Sequence, residues 1–143
     1  MSTMRWCIDE ADVSRSGKDR FEIRGWIWSK KSQNVTCNVK NSNGQEILYK
    51  ISWIKRADVQ KYLKLGDSDL KLGFIIYIDH ISKLWDEKGQ IEVIFSDTAE
   101  TVQVFQRPWV DIKQRYIKNL IKFHVDSACI IENYVVIKGW AFY

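Results

Sequence analysis

Alternation of apolar and polar residues restricts this chain more than any other feature. Val35, Cys37 and Val39 alternate with Thr36, Asn38 and Lys40, so an extended backbone there has one apolar and one polar face. Ile91, Val93 and Phe95 repeat the pattern, and Val102 and Val104 suggest a last strand before Pro108. Tyr49, Ile51 and Trp53 fall on one face of a strand over 47–54. Before them stands Asn43-Gly44, a dipeptide that readily supplies the two positive-φ residues of a tight hairpin. Residues 72–81 form the most apolar run and read as a central strand. Short strands at this spacing, broken by turn residues, predict a mainly all-β fold, an antiparallel immunoglobulin-like sandwich.

Two segments switch to helical character. Residues 57–63 read as a short helix in a loop that ends near Gly66. Over 109–123, Trp109, Ile112, Tyr116, Leu120 and Phe123 recur at three and four, and Lys113, Arg115, Lys118 and Lys122 take the other face. A basic amphipathic helix of this kind can lie on an anionic membrane surface. The plainer reading packs its stripe on the chain's own sheet or on a neighbouring domain.

An internal repeat sets the domain organisation. Phe21-Glu22-Ile23-Arg24-Gly25-Trp26-Ile27-Trp28 returns as Val135-Val136-Ile137-Lys138-Gly139-Trp140-Ala141-Phe142. Upstream, Trp6-Cys7-Ile8-Asp9 returns as Phe123-His124-Val125-Asp126. The two glycines stand about 114 residues apart, a plausible size for one small sandwich. The expected organisation is a module over 1–108, a linker helix over 109–123, and over 124–143 the first two strands of a second, truncated copy. Two strands alone leave an unpaired edge, so the chain reads as a piece cut where tandem modules meet. The trailing hairpin is expected to bury Val135, Ile137 and Trp140 against protein, in this chain or in a second copy of it.

Size and composition narrow the function classes. The chain has 143 residues, 45% of them hydrophobic and 28% charged, enough for one globular core but hardly two. A formal net charge of +4 is too mild to call for nucleic acid. No apolar run approaches the ~20 residues of a membrane span, and no signal peptide opens the chain. Cys7, Cys37 and Cys129 are an odd set with no C-x-x-C spacing, and His80 and His124 are the only histidines, so neither zinc nor another cofactor is implied. Reduced, partly buried thiols in a cytoplasmic protein are the simplest reading.

Chemistry-bearing residues are few. On a regular strand Arg24, Trp26 and Trp28 share one face, and two indoles beside a cation suit a sugar ring. The same indoles serve equally as a packing layer, with Gly25 permitting a bulge. Asp67-Ser68-Asp69 has the spelling of a metal-nucleotide site but lacks the parallel βαβ units around it, and a solvated turn explains it. Glu10, Asp12 and Glu22 are available as a paired acid and base, yet nothing separates them from surface carboxylates. No catalytic residue can be named.

The order Gly25-Trp26, Asn43-Gly44, Arg56-Ala57-Asp58-Val59, Gly73-Phe74 resembles small β-sandwich modules that occur, often in tandem, beside bacterial family 2 glycosyltransferases of cell-surface polysaccharide synthesis. The resemblance covers about residues 20–80, and Gly139-Trp140 adds the repeat. It implies a non-catalytic accessory module that positions a glycan acceptor or a partner domain, with the transferase elsewhere in the parent protein. A carbohydrate-binding module with exposed Trp residues is the alternative. In the R-x-D-V segment, Arg56 and Asp58 are expected to close their loop by an ion pair or by hydrogen bonds to backbone.

Overall fold

The computed structural model describes residues 2–16, 18–66, 69–84, 88–120 and 122–142. Among them, seven strands form two antiparallel sheets. β1 (Met4–Val13), β2 (Arg20–Ser29), β5 (Gly73–Asp79) and β4 (Lys50–Ile54) make one, in the order β1-β2-β5-β4. The other runs β3 (Thr36–Asn41), β6 (Gln90–Ser96), β7 (Thr101–Pro108). This four-plus-three order is that of a constant-type immunoglobulin sandwich, the fold class that the alternation predicts. Phe21, Ile23, Phe74, Ile76 and Ile78 from the first sheet meet Val39, Ile91, Val93 and Phe95 from the second in one core, each buried to 1% exposure or less. Phe74 and Phe95 touch across it, with ring centroids 5.0 Å apart.

Local sequence explains where the elements stop. Beyond Asp79 the chain leaves the sheet because His80 takes a left-handed φ of 58°, and 81–84 continue as a 3-10 turn. The expected strand over 72–81 is therefore shorter at both ends. Asn43-Gly44 does turn the chain, but only Gly44 has positive φ, and the returning arm pairs with β3 merely at Lys40–Glu46 and through the Ile47 amide. The chain then crosses to the other sheet, where β4 pairs with β5, so the expected hairpin is a single bridge before a change of sheet. α1 (Ala57–Leu63) matches the expected loop helix and ends at Lys64, which is left-handed with φ 55°.

α2 (Trp109–Leu120) is shorter than the expected 109–123: Lys122 and Phe123 belong to the next strand. Its apolar stripe docks on the sandwich. Trp109 and Ile112 are buried, Tyr116 packs against the core, and Arg115 grips Asp12 of β1 through three hydrogen bonds of 3.0, 3.3 and 2.9 Å. Trp109 also donates its indole N–H to the buried Asn41 side chain at 2.8 Å. No helix among the described residues is long and apolar enough to cross a membrane.

β8 (Lys122–Ile131) and β9 (Tyr134–Phe142) form a separate two-stranded sheet. Its register repeats that of β1–β2. In the first hairpin Ile8 faces Gly25 and Glu10 faces Arg24, so Asp9 is the extra residue of a bulge. In the second, Val125 faces Gly139 and Ser127 faces Lys138, which puts Asp126 in the same place. The surroundings differ. Phe21 and Ile23 are buried, whereas their counterparts Val135 and Ile137 are 70% and 65% exposed, and Trp140 is 49% exposed against 9% for Trp26. The expectation that this hairpin buries its apolar residues is overturned within the chain, because no second sheet among the described residues covers it.

Candidate functional site

The motif residues meet on the first sheet, at the edge of α1. Gly25 lies where β1 bulges towards β2: a Cβ there would sit 2.3 Å from the Cys7 carbonyl oxygen and 3.0 Å from the Phe74 ring. Across the sheet Gly25 pairs with Phe74, and Trp26 pairs with Gly73. Gly73 is bare for a second reason. The aliphatic stem of Arg56 lies over it, and a Cβ would come within 2.6 Å of that stem. The Arg56 guanidinium then reaches two carboxylates. It bonds Asp58 in bidentate fashion at 2.9 and 2.7 Å, and the bulge residue Asp9 at 2.7 Å. Hydrogen bonds from Arg56 hold the Asp58 carboxyl at a pKa of about 2, below its ordinary 3.8. Those bonds, to Asp58 first and Asp9 second, raise the Arg56 pKa in turn.

This clasp ties β1, the start of α1 and the start of β5 at one point. The pairing of Arg56 with Asp58 follows the sequence expectation, but Asp9 was missed. The repeat held the signal for it, since an aspartate stands at the same offset in Trp6-Cys7-Ile8-Asp9 and Phe123-His124-Val125-Asp126.

Arg24, Trp26 and Trp28 do not form one open face, although the two indoles share a cluster. Arg24 is exposed and pairs with Glu22 at 3.1 Å. Trp26 is buried under α1, in a small cluster with Val59 and Leu72, and Tyr62 meets its ring edge-on. Trp28 is half-buried at the border of that cluster and also lines an open cleft. Gly139 and Trp140 lie on β9, in the exposed hairpin.

The cleft opens at one end of the sandwich, where β2 runs past the first residue of β5. Trp26 is the last β2 residue to pair with Gly73; the Ile27 amide then bonds the Leu72 carbonyl at 2.9 Å, and the two segments part. The space between them measures about 430 Å³ and is walled by Trp28, Trp53, the β2–β3 loop over 32–35, and residues 70–72. That volume lies within the roughly 300–1,000 Å³ of small-molecule sites. Below it, Ser29 and the Asp97 carboxylate fix the loop: Ser29 donates to Asp97 and accepts from the amides of Lys31 and Ser32. The Ser29 bond, helped by the Ala99 and Glu100 amides, holds the Asp97 carboxyl at a pKa of about 2.

The remaining candidates are accounted for by their surroundings. Glu10, Asp12 and Glu22 line one shallow depression of about 300 Å³, and each is paired with an arginine: Arg15, Arg115 and Arg24. Burial raises the Asp12 pKa, but the Arg115 and Val13 hydrogen bonds outweigh it and the net shift is downward. Asp67 and Ser68 lie outside the described residues; Asp69 pairs with Lys55 at 2.7 Å. No three His, Cys, Asp or Glu side chains gather as metal ligands among the described residues. The thiols are free: Cys37 is half-buried, and burial pushes its pKa up to about 11, whereas Cys7 and Cys129 are exposed, contrary to the expectation of partial burial. No protein-family model matches the chain, and no curated protein matches it in sequence.

Proposed function

We propose that this chain is a non-catalytic accessory segment of a bacterial glycosyltransferase of cell-surface polysaccharide synthesis, built from tandem sandwich modules that position a glycan acceptor or a neighbouring domain. One observation carries the reading. The β8–β9 hairpin copies β1–β2 down to the bulged aspartate that follows the residue facing glycine, yet leaves exposed the positions that β1–β2 buries. A face of that kind is half of an interface, and a second set of strands like β3–β7 is what covers it in the first copy. The motif residues support the same view: Arg56, Asp58 and Gly73 meet with Asp9 in a clasp between elements, beside the Gly25–Phe74 pair, an arrangement that sets geometry.

The test is deletion of the chain from the protein that carries it, in cells making the polysaccharide. Glycosyl transfer onto short acceptors in extracts should persist while the length distribution of the finished polymer shifts. Loss of transfer itself would put catalysis in this chain. An unchanged length distribution would refute positioning.

A further inference from the structure

The end cleft is rich in donors that the protein leaves unused. Trp28, Trp53, Gln33, Asn34 and Lys71 line it, and each carries a side-chain N–H donor. Among the described residues none of these side-chain groups makes a hydrogen bond or ion pair, although neighbouring Ser29 and Ser32 do. Among the described residues that line the space, Lys71 is the only charged one and none is a carboxylate. Trp53 is seated by edge-on contacts with Phe74 and Phe95, at 6.2 and 6.1 Å, so its position is set by the core. Two half-buried indoles supply apolar area for a ring with polar edges, and the unbonded donors around them suit an acceptor-rich ligand. A lone ammonium without a competing carboxylate favours an anionic one.

We propose that this cleft binds an acidic oligosaccharide, with a sugar ring against Trp28 and Trp53 and its carboxylate or phosphate at Lys71. The inference rests on the accessory reading for what the bound glycan is used for; the binding itself stands on the cleft alone. Trp26 and Arg24 take no part.

The test is titration of the whole chain, followed by tryptophan fluorescence and calorimetry, with three probes: hyaluronan tetrasaccharide for the carboxylate, mannose 6-phosphate for the phosphate, and neutral chitotetraose. At least one anionic probe should saturate and bind about tenfold tighter than chitotetraose. Lys71→Ala should erase that preference, and the exposed Asn34→Ala should weaken binding several-fold. Trp28→Ala should abolish binding; because Trp28 also borders the Trp26 cluster, its melting curve is recorded alongside, and Lys71→Ala and Asn34→Ala keep the test independent of its folding. No saturable binding of any probe, equal affinity for charged and neutral probes, or indifference to Lys71→Ala overturns the proposal. A flat titration with altered polymer length in the deletion test would remove the cleft and leave the accessory reading standing.

Discussion

Gly25→Ala should be the most damaging single methyl in the first hairpin. The added Cβ would stand 2.3 Å from the Cys7 carbonyl oxygen and 3.2 Å from the Ile8 Cα, both backbone atoms of the bulged strand. Restoring ordinary contact requires β1 and β2 to part by roughly 1 Å at the Asp9 bulge, which also draws Asp9 off Arg56. Overpacking of this kind costs about 1–3 kcal/mol, and a rigid backbone neighbour places this case towards the upper end. At about 4 °C per kcal/mol for a domain of this size, the melting temperature should fall by about 8–12 °C in differential scanning calorimetry. Gly73→Ala is the control. Its Cβ would meet side-chain atoms of Arg56 and Ile54, at 2.6 and 2.7 Å, and these yield more readily than the Cys7 and Ile8 backbone, so its loss should be smaller. A Gly25→Ala protein that melts within about 2 °C of the parent would refute the close-approach argument.

Asn41→Ala should cost about 1–3 kcal/mol in urea unfolding, because it strands the indole N–H of Trp109, itself 2% exposed; an unchanged midpoint would mean that water replaces the bond. Asp58 and Asp97 both titrate at about 2 when folded against an ordinary 3.8. A depressed folded value means that their contribution is fully present above pH 3.8 and is lost as pH falls towards 2. Acid titration followed by circular dichroism should therefore show stability declining through that window, with a shallower decline in Asp97→Asn; an identical slope would remove Asp97 from the acid response.

Strands whose faces differ in burial were legible in the sequence, because alternation reports burial directly. β3, β6 and β7 are examples, and their inward residues Val39, Ile91, Val93, Phe95 and Val104 all reach the core. β1 has no such signature. Its bulge at Asp9 shifts the alternation by one residue midway, so Met4 and Val13 are buried while most of the strand between them is not. The Asn43-Gly44 turn was visible, but the path of the chain beyond it is decided by Tyr49, Ile51 and Trp53 packing under the other sheet, a choice made across the core. The clasp joins Arg56 to an aspartate 47 residues away, and the cleft draws its walls from three separate stretches of chain. Trp28 keeps the neighbour that a regular strand gives it, at the border of the cluster that buries Trp26, but the cleft it shares with Trp53 arises where β2 parts from the 70–72 segment, which no local pattern records.

The central claim is that β8–β9 opens a second copy of the sandwich. It is tested by repeating residues 30–108 directly after Tyr143, which stands where Ser29 stands in the first copy, and measuring amide hydrogen exchange. In the parent chain the β8–β9 amides should exchange far faster than those of β1–β2. In the extended chain, protection across 125–141 should rise to that of the first hairpin, with Val135 and Ile137 taking the buried places held by Phe21 and Ile23. Exchange in β8–β9 that stays as fast as in the parent chain would contradict the claim.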